Sequence, residues 1–253
     1  MDVKQSIRSE LEVLAEGEYG KFSKGLIPGK DNIIGIRLPI LRELAKGYAK
    51  GEWESLLEDK DVYFEETMLR GMILGYAIKE PQKLVPYIEA FIPLVDNWSV
   101  CDSVFMGMST WQKDREFTWN YIQKYLYAHK EFEVRVALII MMQHLLKCDE
   151  KGKKIPRLRC VDMVHLTDCN EIPGLYLKRV LDSLDRTFEQ GYYASMAASW
   201  LLAECFCCFP YHTLEFLKQN KMDKVTYNKG IQKIIESKIP TEEVKDYLRT
   251  LKR

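Results

Sequence analysis

Trp98 and Asp102 stand four residues apart in the segment DNWSVCDSV. On a helix that spacing places an indole and a carboxylate on one face, a turn apart. Arg70 and Arg135 flank Asp102 along the chain, at intervals of about 33 residues, the length of a two-helix repeat. An aromatic face attracts cations, a carboxylate balances positive charge, and a guanidinium clamps anions. A second tryptophan, Trp200, lies in ASMAASWLLAECF. Each residue also has a structural reading. Tryptophan is usually well buried, and an Asp102–Arg135 bridge between neighbouring repeats is an ordinary helix-surface pair.

Other residue groups also have types suited to chemistry. Cys205, Cys207, Cys208 and His212 form C-x-C-C-x-x-x-H, which is not a standard zinc spacing. On a helix these thiols point in different directions, so buried structural thiols are expected and no metal. Lys178, Arg179, Lys229 and Lys233 fall on late helices. They either follow a DNA backbone or form a solvated face. Tyr176, Tyr192 and Tyr193 are expected to pack.

Helices must position all of these. Apolar residues recur at helical spacing through most of the chain, and strand-like alternation is scarce. MDVKQSIRSELEVLAEGEYG reads as a charged amphipathic helix that stops near Gly17 and Gly20. Gly25, Pro28 and Gly29 break the next stretch. A second helix begins near Pro39 and ends by Gly51. Helical segments follow in series, among them YFEETMLRGMILGYAIKE, WSVCDSVFMGMSTWQ, FEVRVALIIMMQHLLK and YYASMAASWLLAECFCCFP. The Lys/Arg-rich stretch from Asp149 to Arg159 interrupts the series and reads as a surface loop. The expectation is all-α: a single domain over residues 1–253, folded as a curved α-solenoid of stacked helix-pair repeats.

Composition sets limits. Hydrophobic residues make up 47% and charged residues 29% of the 253 residues, an ordinary globular balance. There are 37 basic and 37 acidic residues, so DNA binding requires an uneven spread of charge. No apolar run is long enough to span a bilayer and no signal peptide is visible, so a cytoplasmic protein without a membrane partner is expected. The seven cysteines are expected to be reduced and mainly buried.

Three segments carry a resemblance: DNWSVCDSV with Trp98 and Asp102, FEVRVALI with Arg135, and ASMAASWLLAECF with Trp200. Together with GIRLPILRELAK, they resemble the AlkD-like DNA alkylation-repair family of HEAT-like repeat DNA glycosylases. The similarity runs from about Ile34 onward once an insertion is allowed. It implies that the chain removes cationic alkylpurines, 3-methyladenine and 7-methylguanine, from double-stranded DNA. It implies that Trp98 and Trp200 contact sugar and backbone near the lesion and that Asp102 stabilises the oxocarbenium and positions water. Arg135, Lys178 and Lys229 would bind the DNA backbone. No cofactor or metal is needed, because an alkylated base is already a good leaving group, and a monomer is expected.

The sequence departs from the family pattern in two places. GKFSKGLIPGKD stands where the family's active members carry a DNA-gripping helix, and its three glycines and one proline argue against such a helix. Ala203 stands where related proteins often have arginine. With the neutral charge, these leave an alternative: a catalytically inactive HEAT-like homologue that acts as a DNA- or protein-binding scaffold.

Overall fold

The computed structural model describes residues 3–57, 60–149 and 151–253. Among these residues there are thirteen α-helices, short 3-10 turns and no strand. The chain divides into two compact units, Met1–Lys113 and Asp114–Arg253.

The first unit holds α1 (Val3–Leu14), α2 (Gly17–Leu26), α3 (Leu38–Tyr48), α4 (Phe64–Ala77), α5 (Pro81–Phe91) and α6 (Trp98–Phe105). Helix α4 is central and packs on α3, α5 and α6. Its residues Leu69, Ile73 and Leu74 are buried together with Leu84, Ile88, Phe91 and Phe105. Pro81 opens α5 at a position where its missing N–H leaves no helical bond unmade.

The segment GKFSKGLIPGKD was expected to lack a helix, yet α2 runs through it to Leu26. The glycine at position 20 serves close approach, not helix breaking. A Cβ there would lie 3.1 Å from the Ile34 carbonyl oxygen. Gly35 opposes it with φ +91°, and a Cβ there would come within 2.4 Å of the Glu16 carbonyl. Two glycines thus let the extended strap at residues 33–36 lie against the first turns of α2. The chain breaks only afterwards, at Pro28 and Gly29.

The second unit holds α7 (Arg115–Leu126), α8 (Glu131–Ile140, prolonged by a π-helical turn over Met141–Leu146), α9 (Leu177–Leu184) and α10 (Tyr192–Cys208). It ends with α11 (Pro210–Lys218), α12 (Lys224–Glu236) and α13 (Glu242–Thr250). Helix α10 is apolar on nearly every side, as befits a helix packed between others. It lies against both α8 and α12. Only Tyr192, Tyr193, Met196 and Trp200 escape full burial, a stripe at near four-residue spacing on one face.

Among the described residues the stretch from Lys147 to Tyr176 contains no α-helix; CVDMVHLT, which continues the apolar series in sequence, forms turns. This stretch is nonetheless fastened. Leu158 N donates to the Cys207 carbonyl at 2.9 Å and Val161 N to the Ile239 carbonyl at 2.9 Å. Those bonds draw it across the end of α10 and onto the α12–α13 connection.

Candidate active site

Asn97 starts the helix that carries the first pair. Its side chain accepts a hydrogen bond from Val100 N at 2.9 Å, which caps α6. Trp98 is therefore the first residue of the helix and Asp102 follows one turn later. Both are half-buried. The Trp98 indole Nε1 donates to the Leu26 carbonyl at 3.2 Å, so the end of α2 sets the orientation of the ring. The same ring lines a cavity beside Tyr19, Phe64 and Glu65.

Arg135 and Trp200 lie in the second unit. Arg135 is only 6% exposed, and its Nη1 donates to the Tyr193 carbonyl at 2.8 Å, between α8 and α10. Trp200 is half-buried, and its Nε1 donates to Glu204 Oε1 at 3.0 Å. Arg70 shares the repeat position of Asp102 and Arg135 but has a local task. It pairs with Asp61 at 2.8 Å and donates to the Leu57 carbonyl at 2.7 Å.

Glu204 escaped the sequence reading. It is 1% exposed and accepts from Arg157 Nε at 2.9 Å and from Lys147 Nζ at 2.9 Å, besides the Trp200 indole. The carboxylate thus fastens the basic loop to α10 and fixes the Trp200 ring. The signal was present in the chain, because Trp200 and Glu204 repeat the four-residue spacing of Trp98 and Asp102. Tyr19, Phe64 and Glu65 carried no such signal, because they meet Trp98 only through the fold.

The remaining candidates sit as follows. Lys178 is 85% exposed and pairs with Asp182 at 2.7 Å. Lys229 holds its Nζ 4.4 Å from the centroid of Tyr192. Arg179 pairs with Glu116 at 2.7 Å and lies over the rings of Trp119 and Tyr176. Cys205, Cys207 and Cys208 are buried, and burial pushes the Cys208 thiol up to about 11. His212 Nε2 lies 2.9 Å from the Glu171 carbonyl oxygen. Among the described residues no group of three or more His, Cys, Asp or Glu is arranged to hold a metal ion. Among the described residues no helix is long and apolar enough to cross a membrane.

No curated protein and no solved structure matches the chain at a significant level. The model of one family, described as DNA alkylation repair enzyme, matches residues 7–234. That span contains Trp98, Asp102, Arg135 and Trp200 and nearly all of both units, and the chain belongs to this DNA alkylation repair family.

Proposed function

We propose that the protein is a monofunctional DNA glycosylase that releases cationic alkylpurines, such as 3-methyladenine and 7-methylguanine, from double-stranded DNA. The reading is supported first by Trp98 and Asp102, one turn apart and half-buried on α6, in a chain of a DNA alkylation repair family. The bond between C1′ and the base nitrogen breaks, and its electron pair leaves with the base and neutralises it. The sugar is left with oxocarbenium character, which the Asp102 carboxylate balances. A water oxygen then attacks C1′ and passes its proton to Asp102. Trp98 and Trp200 offer ring faces to the sugar and backbone. Arg135, Lys178 and Lys229 supply charge for phosphates; Lys178 is the most open of the three and Arg135 the least. No metal or organic cofactor enters the step. The proposal includes a single HEAT-like repeat domain over residues 1–253, a curved solenoid, acting as a cytoplasmic monomer.

The test is base release from DNA treated with a methylating agent. Wild type is expected to release 7-methylguanine, and Asp102→Asn to lose a factor on the order of 100 to 1000 with an unchanged circular dichroism spectrum. Equal release by the mutant would remove Asp102 from the mechanism. A second reading, a non-catalytic DNA- or protein-binding scaffold, draws support from the zero net charge and from acidic partners on Lys178 and Arg179. No release by either protein, beside a working control glycosylase, would favour it.

A further inference from the structure

We propose that the stretch between α8 and α9 carries a docking surface for an extended, acidic segment of a partner protein that also bears apolar side chains. The surface joins the two halves of that stretch. The first half holds Lys151, Lys153, Lys154 and Arg159, all exposed. Among the described residues none of the four forms an ion pair. The second half holds Ile172 and Leu175, 85% and 53% exposed, and Pro173, also exposed. Gly174 marks where the halves meet: a Cβ there would lie 3.5 Å from Ile155 Cδ1 and 2.8 Å from the Phe209 ring. The apolar run thus passes beside Ile155, whose neighbours in the chain are Lys154 and the exposed Pro156.

The charge is one-sided because the acids of this stretch are bound to backbone amides. Asp149 accepts from Lys151 N at 2.9 Å and from Lys153 N at 2.8 Å. Asp162 accepts from Val164 N at 3.0 Å and from His165 N at 3.2 Å, and Asp168 from Asn170 N at 3.1 Å. Glu171 accepts from Tyr211 N at 3.3 Å and His212 N at 3.1 Å, at the start of α11. Lys147 and Arg157 are held by Glu204. The four cations left at the surface face water without a partner, and a ligand of opposite sign balances them.

The apolar half decides the kind of partner. Neighbouring apolar side chains left in water mark a contact surface. Neither the Ile172 amide nor the Gly174 amide donates to a described residue, so an extended peptide finds main-chain donors beside those side chains. Aliphatic groups give a nucleic acid no ring to stack on, and phosphates would use the cations alone. An acidic peptide with apolar residues uses both halves. The surface is also preformed: Asp149 N donates to the Lys153 carbonyl and Ile155 N to the Lys147 carbonyl, each at 2.8 Å. The ordering cost of binding therefore falls mainly on the partner. The inference does not depend on the glycosylase reading.

The experiment is fluorescence anisotropy of the full chain with labelled synthetic peptides, each a run of aspartates followed by leucine, valine and phenylalanine in varied order. Polyaspartate of the same charge and a short DNA duplex are the comparisons. The best mixed peptide is expected to bind about tenfold more tightly than polyaspartate, the size of one partly buried aliphatic side chain, and to weaken as salt rises. The double variant Lys153→Glu, Lys154→Glu should weaken it about tenfold, and Ile172→Ser should bring it to the level of polyaspartate. All three positions are exposed, so both variants should melt as wild type does and release 7-methylguanine as wild type does. Equal affinity for polyaspartate, undiminished binding by either variant, or no binding at millimolar peptide would each overturn the proposal. Duplex DNA that displaces the peptide and loses affinity in the double variant would overturn it as well, and assign the lysines to phosphates. A wild type that binds the peptide but releases no base from DNA removes the glycosylase reading and leaves the docking surface.

Discussion

Asn97 is 5% exposed; its side-chain oxygen caps the helix whose first residue is Trp98, and its Nδ2 donates to Asp96 Oδ1 at 3.0 Å. Loss of such a cap costs about 1 kcal/mol. Asn97→Ala is therefore expected to lower the unfolding free energy from urea denaturation by about that amount, and Asn97→Asp, which still accepts from Val100 N, to lower it less. The same reasoning applies to the thiols. Burial raises the Cys208 thiol from 9.0 to about 11, so the folded state keeps its proton where the unfolded chain has lost it. Stability therefore falls as pH rises through that window. Thermal melts should show a midpoint that drops between about pH 9 and 11, and Cys208→Ala should reduce that drop. A slope identical in the mutant would mean that another group governs it.

Among the elements, α2 shows how much a single backbone contact decides. Gly35 adopts φ +91°, and any Cβ would strike the Glu16 carbonyl. Gly35→Ala is expected to destabilise the first unit by at least about 1–3 kcal/mol, read as a lower midpoint in chemical denaturation. The cavity should suffer with it, because Glu65 holds the amide of Gly35 itself. A variant as stable as wild type would show that the strap can be rebuilt elsewhere. In the second unit the helices around α10 cover Cys205, Cys207 and Cys208, whereas Cys160 and Cys169 are exposed. A thiol reagent should therefore label Cys160 and Cys169 readily in native protein and leave the α10 cysteines until unfolding.

For the molecule as a whole, 37 basic and 37 acidic residues cancel, and local charge must carry any affinity for DNA. The salt dependence of binding counts the phosphates that are neutralised. If Lys178 and Lys229 meet phosphates as proposed, replacing either with alanine should weaken binding alike on all sequences. Each replacement should also reduce the slope of log affinity against log salt by about one. An unchanged slope would assign these lysines to the solvated face, with Lys178 kept by Asp182 and Lys229 by the Tyr192 ring.

Helical class, the order of the main helices, and the segments bearing Trp98, Asp102, Arg135 and Trp200 were legible in the sequence, since each depends on spacing within one element. Periodicity records that a face is buried, but not what buries it. The tertiary structure alone decided that Gly20 admits the strap instead of ending a helix, and that Glu65 closes a cavity on residues some 30 positions earlier. It likewise turned the loop after α8 into a strap fastened on Glu204. In each case the partners are far apart in the chain, and no local pattern encodes a contact whose two sides are written separately.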